Sequence, residues 1–240
     1  MQGTTNTGAI KAMAWSGVAL VLSLVVSYAL MGFLPPPSPD LPAEAIKAIF
    51  IKRKLEIRIG SMIECIGFTF YLTWAMSIVL IMRRMETGLP VLSWTSMANA
   101  GGGYVLFLIQ PITWAALAYR PEIAEPWFLQ IMNDWVWFTF ILSWTPFAVF
   151  MVMIGLAILR DHNTPKIMPR WVAFFNFWCA LTISPAALIE FFKVGPFTYA
   201  GIVDFWFIFV VFFGWMVVMT AVTVKAAEKL RQEELAGAAI

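Results

Sequence analysis

Apolar residues occur in this chain in long unbroken runs rather than in alternation, and the runs lie near residues 13–34, 58–82, 93–119, 127–159, 171–192 and 198–224. About 20 helical residues cross a hydrocarbon core of about 30 Å, so each run predicts a transmembrane helix. Strands of an outer-membrane barrel are shorter and alternate, which excludes that architecture. The first run passes into Pro35-Pro36-Pro37 without a small-x-small cleavage site, which predicts an uncleaved helix. Between the first two runs, Ile46, Ile49, Phe50 and Ile57 recur at helical spacing among Lys47, Lys52, Arg53, Lys54 and Arg58. That pattern predicts a short interfacial amphipathic helix. Its basic face either meets an anionic lipid or solute or only snorkels as a lead-in to the second span.

Composition agrees with the pattern. Of 240 residues, 61% are hydrophobic and 12% charged, and the mean hydropathy is +0.80. The fold class is therefore all-α: a polytopic membrane helical bundle with six transmembrane helices arranged as three hairpins, forming a single integral membrane domain over residues 1–240.

Basic residues orient it. Lys11, Arg83, Arg84, Arg160, Lys166, Arg170, Lys225, Lys229 and Arg231 fall in one alternating set of connections, whereas the short loops of the other set hold Arg120 and Lys193. Positive residues favour the cytoplasm. The expectation is a bacterial inner-membrane protein with cytoplasmic tails at 1–12 and 225–240 and an outer loop at 35–57, although the basic segment 43–58 dissents.

Several classes of chemistry are excluded. The single histidine, His162, lies in a polar connection, and Cys65 and Cys179 lie in apolar spans, so neither haem ligation nor a histidine-rich metal centre is expected and no cofactor is assigned. No basic tract with interleaved aromatics suggests nucleic acid. The proline-acid-x-x-base signature of mitochondrial carriers is absent, and the last span has no Schiff-base lysine. A weak internal repeat links Gln110-Pro111 and Asp134-Trp135-Val136-Trp137 with Ser184-Pro185 and Asp204-Phe205-Trp206-Phe207. Gly101-Gly102-Gly103 predicts close helix packing rather than a phosphate cradle.

The candidate chemistry is carboxylate chemistry. Glu64, Asp134 and Asp204 stand inside three different spans at equal intervals of 70 residues, and ionisable groups at membrane depth mark functional sites. At about 1.5 Å per helical residue they share a layer roughly 9–10 Å below the outer boundary. Glu190 lies a few residues from the outer end of its span. Arg58, Arg120 and Lys193 lie close in height, Glu190 and Lys193 are spaced to pair on one helix face, and Gln110 and Asn133 add uncharged hydrogen-bonding groups.

Two readings follow. In one, the acids line an outward pocket that binds or transports a small hydrophobic, amphipathic or cationic solute. In the other, they pair with the bases and hold the bundle together in a structural or accessory subunit of a larger membrane complex. A third function, a lipid-modifying enzyme using a carboxyl as general acid or base, requires the same groups. The expected partners are membrane lipid, a small amphipathic ligand and a homo-oligomer or hetero-complex.

Overall fold

The computed structural model describes residues 6–238. Its helices are α1 (Thr7–Met31), α2 (Ala43–Lys52), α3 (Lys54–Arg83), α4 (Val91–Leu117), α5 (Pro126–Leu142), α6 (Trp144–Leu159), α7 (Arg170–Thr182) and α8 (Ile208–Ala238). A 3-10 turn at Ser184–Glu190 extends α7, and a π-helical segment at Ile202–Phe207 leads into α8. Six stretches are long and apolar enough to cross a membrane: Thr7–Met31, Lys54–Arg83, Val91–Leu117, Pro126–Leu159, Arg170–Glu190 and Ile202–Ala236. The chain is thus an all-helical, multi-pass membrane bundle, with no strand among the described residues.

The helix ends depart from the hydropathy boundaries for local reasons. α1 starts at Thr7 because Asn6 caps it, its side chain accepting from the Ala9 amide at 3.1 Å. It stops at Gly32, whose positive φ of 72° only glycine adopts cheaply. Part of the expected N-terminal tail is therefore helix; Met1–Thr5 lie outside the described residues. The expected C-terminal tail continues α8 as far as Ala238, because alanine, glutamate, lysine and leucine favour helix irrespective of apolarity.

Successive spans pack on one another, and α8 returns to α1, closing a ring around the aromatic core. Small residues admit the closest approaches. A Cβ on Gly60 would stand 2.4 Å from Met31, and Ser27 of α1 donates to the Gly60 carbonyl at 2.9 Å. Of the three consecutive glycines, only Gly103 packs tightly, 2.7 Å from the Phe147 ring by the same measure, whereas Gly101 and Gly102 face open space.

Ion pairs define the two ends of the bundle. At the terminal end, Lys11 meets Glu228 at 2.6 Å and Arg84 meets Glu234 at 3.3 Å. At the distal end, Lys54 meets Glu122 at 2.7 Å, and Lys47 donates to the Glu122 and Ala124 carbonyls at 3.1 and 2.7 Å. The apolar stripe of α2 is turned into protein: Ile46 and Phe50 are buried, α2 packs on α5, and Phe50 meets Phe33 edge-on. Basic residues of this segment thus tie α2 and α3 to the connection between α4 and α5.

Candidate functional site

Three spans lose regular α-helical geometry at places that meet in the bundle. Ser143 separates α5 from α6, where Pro146 removes a backbone donor. Ile183 separates α7 from the 3-10 turn that carries Pro185. The π-helical segment Ile202–Phe207 opens the last span, with the Phe205 and Trp206 amides both donating to the Gly201 carbonyl at 3.1 and 3.3 Å. Gly201 is required there, since a Cβ would lie 2.3 Å from the Pro196 carbonyl oxygen. Such interruptions at membrane depth persist where they line a cavity or are buried in protein.

Ser143, Ile183 and the π segment together border one cavity of ≈ 50 Å³. Aromatic rings make most of its wall, with Phe107, Phe147, Phe205 and Phe212 among them, and Asp204 is the only ionisable lining residue among the described residues. Asp204 is 1% exposed, and neither carboxyl oxygen has a hydrogen-bond partner among the described residues. A buried charge without a partner is expensive, so this carboxyl needs a proton, a cation or a hydrogen-bond donor from outside the chain. The volume exceeds the ~10–15 Å³ that one water needs and falls well short of a drug-sized site of about 300–1,000 Å³. A small head group, a few waters or the end of an alkyl chain fits.

Glu64 and Asp134 stand elsewhere, and neither borders this cavity. Glu64 is fully buried and faces the Tyr28 hydroxyl, although neither of its oxygens reaches hydrogen-bond geometry. Gln110 donates through Nε2 to the same hydroxyl at 2.7 Å. Asp134 is half-buried and accepts a hydrogen bond from the Tyr199 hydroxyl at 2.7 Å. Asn133, buried one residue earlier, lies beside that hydroxyl with both amide atoms unpartnered.

Trp137 joins these groups. Its ring stacks on Tyr28 with centroids 6.1 Å apart and on Tyr199 at 5.7 Å, and it meets Phe205, the neighbour of Asp204, edge-on at 5.9 Å. The indole nitrogens of Trp114 and Trp137 lack partners among the described residues, as does Gln110 Oε1. Donors and acceptors therefore lie unused around Tyr28, the situation that internal waters resolve. The two tyrosines escaped sequence reasoning because their rings counted as apolar; a hydroxyl at carboxylate depth was the available signal.

The bases form no direct ion pairs with the acids, although Lys193 lies near enough to act on the charge of Asp134. No ion pair within 4.0 Å joins Glu64, Asp134, Asp204 or Glu190 to Arg58, Arg120 or Lys193 among the described residues. Arg58 and Arg120 instead stand over the Tyr119 ring at 5.2 and 5.4 Å. The expected Glu190–Lys193 pairing is absent because the 3-10 turn ends at Glu190, so the two no longer share a helix face. Both are exposed, as is Arg58. No group of three His, Cys, Asp or Glu side chains that could hold a metal occurs among the described residues.

No protein-family model, curated protein or solved structure matches this chain.

Proposed function

We propose that this multi-pass membrane protein binds a small amphipathic solute with a cationic or amine head, and passes or presents it through the bundle. The observation that carries the reading is Asp204, an unpartnered carboxyl buried in a wall of aromatic rings. A carboxylate supplies charge and hydrogen-bond acceptors, and aromatic faces attract cations by their quadrupoles, together worth more where water is excluded. That combination recognises an ammonium group better than a neutral or anionic solute. The cavity admits the head, and the apolar remainder of the solute is matched by the surrounding phenylalanines.

The interrupted helices supply the second support. Discontinuous spans around a mid-bundle site are the device by which transporters build polar sites inside a membrane. Glu64, Gln110, Asn133 and Asp134, joined through Tyr28, Trp137 and Tyr199, extend the polar layer toward the distal end, where Arg58, Glu190 and Lys193 are exposed. In this reading they form the hydrated approach to Asp204. The terminal end, which carries Lys11, Arg84, Lys166, Lys225 and Lys229, faces the cytoplasm of a bacterial inner membrane, and the distal end faces outward. The spans run as three hairpins, with α2 lying at the outer interface.

A second reading, an accessory subunit of a larger membrane complex, is favoured by the short connections, which leave little soluble structure. Native mass spectrometry of the purified chain separates the two. Binding predicts that the lone protein retains alkyltrimethylammonium, and that Asp204→Asn loses it while staying folded. Recovery only in a hetero-complex, with no retention by either form, would favour the accessory subunit.

A further inference from the structure

The groove at the terminal end between α8, the start of α7 and the connection before it is a separate feature. It measures ≈ 530 Å³ and is lined by Lys166, Lys225 and Lys229 together with Trp171, Pro169 and Val222, a volume within the about 300–1,000 Å³ typical of ligand sites. None of the three lysines is in an ion pair among the described residues. Two are braced: Lys166 donates to the Asp161 carbonyl and Lys229 to the Lys166 carbonyl. Lys225 is exposed and has no such bond among the described residues.

The acids nearest the groove are engaged by partners other than its lysines. The nearby Asp161 carboxylate is buried and already accepts from the Ile167 and Asn163 amides at 2.8 Å each. Glu228, one turn from Lys225, is committed to Lys11. α7 begins after Pro169 without a side-chain cap, so the positive end of its dipole borders the groove. One wall is apolar, and Trp171 is 54% exposed at the end of a span, where indoles sit at head-group level.

From this juxtaposition we infer that the groove is a binding site for the head group of an anionic phospholipid, with the phosphate held by Lys225, Lys229 and Lys166 and the glycerol and acyl start laid against Trp171 and Val222. Phosphate is the chemistry recognised. The apolar wall and the position at a span end assign the lipid, rather than a soluble phosphate, as its source. Proximity of Lys and Arg to anionic lipid is worth roughly five-fold in affinity for each basic residue.

The test uses the full chain purified in neutral detergent, titrated with short-chain phosphatidylglycerol, short-chain phosphatidylcholine or inorganic phosphate, and read by melting temperature and by lipid retained in native mass spectrometry. Phosphatidylglycerol is expected to raise the melting temperature and be retained, and the other two are not. Lys225→Gln, at an exposed side chain with no internal bond, is expected to keep the helical circular dichroism and weaken phosphatidylglycerol roughly five-fold. Arg120→Gln at the distal end, where the side chain stands over Tyr119, is expected to bind as the unaltered protein does. Trp171→Ala should weaken retention of the lipid without creating a response to phosphate. Equal stabilisation by inorganic phosphate or by phosphatidylcholine would overturn the assignment. So would unchanged binding by Lys225→Gln, or an equal loss in Arg120→Gln.

Discussion

At the scale of single residues, the arrangement turns on carboxyls that form no ion pair with a base among the described residues. Removing one partner of a buried ion pair costs about 3–5 kcal/mol because the other charge is stranded. Glu64→Gln strands nothing here, since no base pairs with it among the described residues. Its melting temperature should correspond to a change of at most about 1 kcal/mol, in the range of an ordinary hydrogen bond. A loss of several kcal/mol in thermal melts would restore the ion-pair reading. Asp134 behaves differently because it has a partner in Tyr199. Tyr199→Phe and Asp134→Ala should each destabilise by about 1.5–3 kcal/mol, typical of a hydrogen bond to a charged group. The double variant should be less than additive in a double-mutant cycle, whereas strict additivity would deny the bond. The burial of Asp204 was legible in sequence because an aspartate inside an apolar run is costly unless protein surrounds it. Its lack of a partner was not, since that depends on which side chains three other spans bring within reach.

At the scale of elements, continuous apolar runs were enough to read six spans, because a helix that crosses lipid must be apolar whatever it packs on. Their interruptions were less legible. Pro146 and Pro185 were signals for breaks near Ser143 and Ile183, but prolines are tolerated inside membrane helices, and Pro111 does sit inside the unbroken α4. The π segment has no residue signature at all; it depends on the close contact of Gly201 with Pro196. The α4–α6 contact gives a direct test. Gly103→Ala places a methyl against the Phe147 ring and should destabilise by about 1–3 kcal/mol through overpacking. Gly101→Ala, in open space, should be neutral or stabilise by up to about 1 kcal/mol through helix propensity. Equal effects on thermal melting would mean that α4 and α6 are not that close.

The basic segment before α3 supplies a pH dependence. The Lys54 ammonium, by its hydrogen bond, holds the Glu122 carboxyl below the usual carboxylate range. A depressed folded value gives stability that is present above the unfolded value and lost as pH falls through the folded one. Acidification below the ordinary glutamate range should therefore loosen the α4–α5 connection from α3. High salt should do the same, because the pair is exposed. Proteolysis within residues 118–125 should rise at low pH, and it should be elevated but less pH-dependent in Lys54→Gln. A cleavage rate that is flat with pH in the unaltered protein would contradict the tether.

At the scale of the whole molecule, the bundle has one end tied by Lys11–Glu228 and Arg84–Glu234 and another tied by α2 and Lys54–Glu122. The charge bias predicts which end is inside. After Cys65 and Cys179 are replaced, a cysteine at Ser38 should react with an impermeant maleimide in intact cells; labelling only after the membrane is broken would invert the orientation. Between those ends the three helix interruptions converge on Asp204, and the claim that this convergence is a ligand site is the centre of the account. Calorimetric titration of a short alkyltrimethylammonium into the purified chain tests it most directly. The unaltered protein should bind one equivalent, and Asp204→Asn, folded to the same stability within about 1 kcal/mol, should bind at least roughly ten-fold more weakly, as expected for losing a buried charged partner. Identical titrations for the two proteins, or no heat from either, would contradict it.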